Sequence, residues 1–332
     1  MDLSTTYLGL KLKNPIVASA GPLSRSFDSM HQLEDTGVSA IVMHSLFEEQ
    51  ITHEIESMNH YKSYGTESYA EALSYFPNIN DYYYAPDEYL EIVAKAANEL
   101  KIPVITSMNG TTPGGWINYA KKMVEAGAAA LELNIYYVPT DVNMTSTDVE
   151  NRYIEVLKGI RSAVKIPISV KLNTFFSSIP NIAKRLVSEG ADGLVLFNRF
   201  YQPDIDLDEL DVKSGIELSN SYENRLSMRW IGILFGKIKA SLAATSGIHS
   251  AEDVLKLTMA GADVTMMCSA LLTHGPEYIG KVLQNLENWM QEHEYESIEQ
   301  MKGSLSHKSI ADPSAYERAN YMKALNRYKL LV

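Results

Sequence analysis

Four times along the chain, a helical pattern of apolar positions ends at a glycine, passes one or two small residues, and becomes a short apolar run that stops on polar side chains. The segments are LEDTGVSAIVMHS (33–45), MVEAGAAALELNI (123–135), LVSEGADGLVLFN (186–198) and LTMAGADVTMMCS (257–269). Gly37, Gly127, Gly190 and Gly261 fall where each helix should end, a place that favours left-handed backbone and penalises a Cβ. The runs that follow are rich in Val, Ile, Leu and Met and barely alternate. That is the pattern of strands buried on both faces.

Four further runs, PIVASAG (15–21), PVITSMNG (103–110), PISVKLN (167–173) and KASLAATSG (239–247), bring the count to eight. Pro103 and Pro167 enter two of them at the first position, where a strand tolerates proline. Helical patterns fill most of the gaps, at 87–100, 115–127 and 148–164, and Ser250 with Asp253 reads as a capping box opening another. Eight strands alternating with helices predict an α/β protein, a (β/α)8 TIM barrel. An open doubly wound sheet ranks lower, because no strand is followed by G-x-G-x-x-G or a P-loop. Two insertions are expected at the C-terminal ends of strands, the face that carries barrel active sites. Residues 46–86 follow the second strand with the tyrosine-rich SYFPNINDYYYAP, and residues 200–230 follow the sixth with the acidic PDIDLDELD. The barrel is expected over 1–294, with 295–332 a polar helical extension packed on it.

Composition narrows the function. The 332 residues are 45% hydrophobic and 21% charged, enough to bury a large core, and carry a net charge of −12. That charge argues against non-specific binding to nucleic acid or an anionic membrane. The one cysteine, Cys268, allows no internal disulfide, and the sequence shows neither a signal-peptide pattern nor an apolar run of membrane-spanning length. A soluble, cytoplasmic protein is expected.

In a barrel the residues closing each strand converge on one mouth. Here they are Ser19 and Gly21, His44 and Ser45, Asn109, Asn134, Lys171 and Asn173, Asn198 and Arg199, Ser246 and Gly247, Cys268 and Ser269. The set lacks a carboxylate pair and a His/Cys/Asp cluster, so neither glycosidase nor metal chemistry is expected. Lys171 lies inside an apolar run, where an unpaired ammonium is costly, and this favours a functional role. Amides around one buried lysine suit a flat, hydrogen-bonding, partly anionic ligand. The Ser-Gly and Cys-Ser ends of the seventh and eighth strands leave backbone N–H groups for a phosphate. For any single Asn or Ser the plainer reading is a strand meeting water, and for His44 the two readings balance. Cys268 reads better as a small core residue than as a nucleophile, and the tyrosines at 82–84 as packing.

The stretches LGLKLKNPIVASAGP, SAIVMHSLFEE, SYFPN, LELNIYYVP, KIPISVKLN, ATSGIHSAEDVLKLTMAGAD and ALLTHGPEYIGKVLQNLENWM resemble the dihydroorotate dehydrogenase family. The resemblance runs from about Leu8 to about Leu305, and the order and spacing look most like the soluble class 1 enzymes. It implies an FMN-binding barrel that oxidises dihydroorotate to orotate in pyrimidine biosynthesis, passes electrons to a separate acceptor or redox protein, and forms a homodimer. By this resemblance Ser19, Ala20 and Gly21 would lie along the flavin, with His44 and Ser45 also on the cofactor side. Asn109 and Asn134 would hold the ring edge or substrate, and Lys171 would sit near flavin N1. Ser246, Gly247, Cys268 and Ser269 would hold the phosphate, and Asn198 and Arg199 the substrate.

The sequence also departs from the family pattern. Tyr137 stands where these enzymes carry a catalytic cysteine, Pro139 and Ala72 stand at asparagine positions, His44 replaces a lysine, and Arg199 replaces a small hydroxyl residue. A tyrosine with a pKa of about 10 is a poor base at neutral pH. Tyr137 has three readings: a packing residue with a changed substrate, a base activated by Arg199 or Lys171, or a bystander to Thr140, Thr145 or Ser146. The first is favoured, because three substrate positions change together. Two other functions compete with dihydroorotate oxidation. One is a flavoprotein with another small anionic substrate or an electron-transfer partner. The other is a non-redox phosphate-binding lyase or isomerase using Lys171 as a Schiff base.

Overall fold

All eight apolar runs form strands, and the strands close on themselves. The structure is a computed structural model, and it describes residues 1–51, 86–111, 116–213, 215–318, 321–322 and 325. The chain opens with a hairpin, β1 (Thr5–Tyr7) and β2 (Leu10–Leu12). Then come β3 (Ile16–Ala18), α1 (Phe27–Thr36), β4 (Ala40–Phe47), α2 (Pro86–Glu99) and β5 (Val104–Asn109). They are followed by α3 (Trp116–Glu125), β6 (Ala130–Asn134), α4 (Ser146–Ala163), β7 (Ile168–Leu172), α5 (Ile179–Ser188) and β8 (Gly193–Leu196). A second hairpin, β9 (Asp204–Asp206) and β10 (Asp211–Lys213), precedes α6 (Asn224–Leu234), β11 (Ser241–Thr245), α7 (Ala251–Ala260) and β12 (Val264–Met267). The last helices are α8 (Ser269–His274), α9 (Tyr278–Glu292) and the single turn α10 (Ile298–Met301). The barrel order is β11-β12-β3-β4-β5-β6-β7-β8, all parallel, which excludes the open doubly wound sheet.

Local chemistry explains the punctuation. Gly37, Gly127, Gly190 and Gly261 all take positive φ, between 99° and 123°, at the helix-to-strand turns. The Ser250–Asp253 capping box is formed at the start of α7. Strand residues alternate between two cores. Ile41, Met43, Leu131, Leu133 and Val170 face the helices, while Val17, Val42, Ile105, Ala130, Val195 and Met266 face the axis. Tyr7, Leu8 and Leu12 of the first hairpin join the axial cluster and close the floor of the barrel. The sequence did not announce either hairpin, because a three-residue strand is too short to show alternation.

Two boundaries differ from expectation. β4 runs on to Phe47, so the first insertion starts later than residue 46, and Ala72 with Tyr82, Tyr83 and Tyr84 lies outside the described residues. The second insertion ends by residue 223, because Asn224 already begins α6, a barrel helix. In the extension after residue 294, the described residues form α10, turns and a 3-10 turn at Pro313–Tyr316, and residues 321, 322 and 325 are again helical. Its backbone also binds the barrel. Gly303 N–H donates to Thr258 O (3.0 Å), Leu305 N–H to Met259 O (2.9 Å) and His307 N–H to Gly232 O (2.9 Å). The Met259 and Gly232 carbonyls are among those that a helix end leaves open, while Thr258 O also accepts from Gly261 N–H (2.9 Å).

One carboxylate ties the second insertion to the barrel. Asp253, 3% exposed, accepts from the Ser221 hydroxyl (2.8 Å), the Asn224 amide (2.7 Å) and the backbone N–H groups of His249 (3.0 Å) and Ser250 (3.1 Å). Asp253→Ala removes the shared acceptor of these four donors, of which the Asn224 amide is buried, and is expected to cost about 3 kcal/mol. Urea unfolding checks this; a loss under about 1 kcal/mol would mean that the carboxylate does not hold the insertion.

Candidate functional site

The mouth is built from strand register. Asn109 pairs with Asn134, and Asn134 with Lys171, so three polar side chains stand in one row at the ends of β5, β6 and β7. All three are nearly buried, with Asn109 at 9%, Asn134 at 7% and Lys171 at 7% exposure. β3 and β12 lie on the opposite wall of the barrel. Ser19 N–H donates to Met267 O there (2.9 Å), and Ala20 packs on the axial cluster. A Cβ on Gly21 would come within 2.7 Å of Cys268 Sγ, so the thiol rests against that glycine. Burial pushes the Cys268 thiol up, while the Lys171 charge pulls it back, which places thiol and ammonium within each other's field. Asn198 joins the row by donating its amide N–H to Asn134 Oδ1 at 2.6 Å.

The corner chosen for phosphate gathers donors as well. Ser246 (φ 71°) and Gly247 (φ 73°) both take left-handed backbone, and a Cβ on Gly247 would meet Asn224 N at 2.5 Å. Gly247 N–H donates to Ser219 Oγ (3.2 Å), and that hydroxyl donates to Ser269 Oγ (3.0 Å), with His249 Nε2 at 3.4 Å. Two hydroxyls, an amide N–H and an imidazole therefore share one small volume. Ser246 turns away, its hydroxyl bonded to Phe197 O (3.2 Å).

Other sequence candidates stand apart from this row. A bulge between Val42 and Ser45 turns His44 toward Ser24 O (3.1 Å) and edge-on to Tyr89 (5.0 Å), and brings Ser45 Oγ to Ser107 Oγ (2.9 Å). Burial holds His44 below the usual imidazole range, with the Arg25 charge acting the same way. Asn173 reaches outward to Tyr153 Oη (2.8 Å). Arg199 is paired with Glu223 (2.9 Å), with both side chains partly exposed. It lines, with Phe175, Asn198, Ser246, Arg225 and Tyr316, a groove of about 1540 Å³ between the second insertion, α6 and the C-terminal extension. That groove touches the edge of the polar row at Asn198 without containing Lys171, Asn109 or Cys268.

Tyr137 does not face the row through its hydroxyl. Its O–H points to Met144 Sδ (3.2 Å), and its ring lies under the Arg152 guanidinium at 4.2 Å, on α4. The cation beside it is thus Arg152, not Arg199 or Lys171. Thr145 is occupied as the N-cap of α4, in a capping box with Asp148, and Thr140 and Ser146 are exposed. Tyr136 is the loop tyrosine that contacts the second insertion, stacked on Phe200 at 4.0 Å and accepting from Tyr201 N–H at 2.8 Å.

Sequence reasoning missed Glu132, Ser219 and His249. Ser219 and His249 gave no sequence signal, since only folding carries the insertion back over β11. Glu132 did give one: like Lys171 it is a charge inside an apolar run, LELN. It is 1% exposed, and its Oε1 lies 3.5 Å from Lys171 Nζ.

The profile of a family described as "Dihydroorotate dehydrogenase" matches residues 63–290. The chain is similar to the catalytic subunit of dihydroorotate dehydrogenase B (NAD(+)) of Thermoplasma volcanium, at 27% identity over 311 residues, 91% of this chain and 98% of that one. It is similar to the protein of the same description from Methanocaldococcus jannaschii, at 26% over 303 residues, 87% and 94% of the two chains. It is also similar to a putative dihydroorotate dehydrogenase A (fumarate) of Aeropyrum pernix, at 25% over 219 residues, 64% and 71%.

Tyr137→Phe removes one O–H···S contact and keeps the ring under Arg152. It is expected to cost less than about 1 kcal/mol. A chemical-denaturation midpoint lowered by several times that amount would show that the hydroxyl has a partner this geometry does not reveal.

Proposed function

Because the chain belongs to the dihydroorotate dehydrogenase family, we propose that it is an FMN-dependent oxidoreductase acting on a CH–CH bond of a small anionic substrate at the barrel mouth. The observation that carries the reading is the in-register row Asn109–Asn134–Lys171, opposite Ser19, Gly21 and Cys268. Carboxamides can match the alternating donors and acceptors of a flavin edge, and an ammonium suits the side of the ring that gains negative charge. The Gly247 N–H with the Ser219 and Ser269 hydroxyls has the chemistry of a phosphate cradle. When bound, FMN supplies an acceptor for hydride.

The protein's own groups then orient and stabilise. The Asn198–Asn134 bond leaves Asn134 Nδ2 and Asn198 Oδ1 free to fix a ligand in one orientation. Lys171 Nζ lies 3.5 Å from the Glu132 carboxylate, and this pairing, which a Schiff-base lysine acting as a free amine would not need, favours the redox reading over a lyase. With Tyr137 turned toward Met144 and Arg152, and Thr145 capping α4, the loop after β6 offers no evident base to dihydroorotate. The reading is therefore a related anionic substrate of different shape. We take residues 1–294 as the barrel domain and 295–332 as an extension, whose residues 303–307 brace α6 and α7. Electrons leave to a separate acceptor, since a chain with one cysteine cannot hold a cysteine-ligated iron–sulfur cluster of its own. Relatives described as catalytic subunits of an NAD(+)-linked enzyme support a redox protein in that role. Among the described residues, no helix is long and apolar enough to cross a membrane.

Denaturing the purified protein is expected to release a phosphorylated flavin. Colourless protein that cannot be reconstituted with FMN would refute the reading. With FMN bound, dihydroorotate is expected to bleach the flavin only slowly in a single turnover. Brisk bleaching that Tyr137→Phe abolishes would instead make the tyrosine the base and dihydroorotate the substrate.

A homodimer is the assembly we infer, because the second insertion presents Ile205 (65% exposed), Leu207 (80%), Leu210 (85%) and Val212 (62%) on one hairpin. Sedimentation should show two copies, and Leu207→Asp with Leu210→Asp should separate them. A monomeric wild-type protein at micromolar concentration would rule this assembly out.

A further inference from the structure

The interior just below the mouth carries a second polar row. Ser107, Glu132 and Ser169 stand in register on β5, β6 and β7, two residues below Asn109, Asn134 and Lys171. Lys171 reaches down to this row, its Nζ 3.5 Å from Glu132 Oε1. The other carboxylate oxygen, Oε2, has no hydrogen-bond partner among the described residues, and the Tyr7 phenol lies beside the Ser169 hydroxyl. Tyr7 rises from the floor hairpin into the axial cluster. Its phenol is pushed far up, by burial first and the Glu132 charge second. Burial also raises Tyr89, with Glu132 adding to it, and burial raises Cys268 against the pull of Lys171. These phenols and the thiol stay protonated near neutral pH, so they bring no charge to the pair. His44 is turned outward against Tyr89. Asp263 lies at the floor and is held by Lys302 at 3.0 Å. Among the described residues, Glu132 is the carboxylate paired with Lys171.

An ammonium buried alone at this depth would favour its neutral form, and a close carboxylate offsets that penalty. We propose that Glu132 is a positioning residue. It keeps Lys171 charged inside the barrel, so that the cation is in place before a ligand at the mouth gains negative charge. The inference rests on the flavin reading above. With the cation already present, reduction of bound FMN by two electrons would take up one proton, and the Lys171 charge would offset the negative charge gained. If Lys171 starts neutral, the same two electrons draw two protons, one to the flavin and one to Nζ.

The test compares wild-type and Glu132→Gln holoenzymes in anaerobic dithionite titrations across neutral pH, reading proton uptake from the pH dependence of the flavin midpoint potential. The wild type is expected to take up one proton per two electrons and Glu132→Gln two. A purely structural role would not change this stoichiometry, and one proton per two electrons in flavin-loaded Glu132→Gln overturns the proposal. Urea unfolding of the apo forms gives an independent arm that also serves if Glu132→Gln loses flavin or folds poorly. Adding Lys171→Met to Glu132→Gln should restore most of the stability that Glu132→Gln alone removes, because the unpaired ammonium is then gone. Losses that simply add overturn the proposal. Wild-type protein that cannot bind FMN defeats the flavin reading alone, and the unfolding arm then decides whether Glu132 holds Lys171.

Discussion

Closing eight parallel strands into a barrel removes every sheet edge and forces side chains to alternate between a narrow axis and a surrounding layer of helices. This alternation governs both stability and site. Leu131, Leu133 and Ile135 face outward into the helix layer, while Ala130, Glu132 and Asn134 on the same strand face the axis. A shift of one residue in β6 would bury Leu133 in the mouth and drive Glu132 into the helices. The polar row and the apolar core thus depend on the same register.

The axis changes character along its length. At the floor it is apolar, plugged by Tyr7, Leu8 and Leu12 of the first hairpin. Above that lie Ser107, Glu132 and Ser169, and above them the amides and the ammonium. Placing opposite charges on adjacent strands, one row apart, lets the interior hold a cation near the mouth at a smaller desolvation cost than a lone lysine would carry. The bulge in β4 serves the same arrangement. It turns His44 out toward Tyr89 and brings Ser45 in to Ser107, so the β4 wall meets the second row with a hydroxyl instead of an imidazole.

The segments outside the barrel carry the chain's individuality. The second insertion folds back so that Ser219 meets Gly247 and Ser269, and Asp253 fixes its end at Ser221 and Asn224. The part of the C-terminal extension up to residue 307 is held on α6 and α7 by backbone hydrogen bonds. Tyr137, expected from the resemblance to stand at a cysteine position, has its hydroxyl and ring engaged by Met144 and Arg152.

The sequence by itself determined the strands, the helix-ending glycines, the capping box at Ser250 and the barrel class, because each of these is set by residues within one or two turns of each other. It also singled out Lys171, since a charge in an apolar run is a local anomaly. The same rule applied to Glu132 would have found it. Only the tertiary structure decided that those two charges meet, that Asn198 bonds Asn134, and that Ser219 joins Gly247. These contacts join residues 39, 64 and 28 positions apart, and no local pattern encodes them. The direction of His44 and of Tyr137 was likewise beyond the sequence. One depends on a bulge in the pairing of β4 with β5, and the other on which helix happens to offer a guanidinium, and both are properties of packing between distant segments.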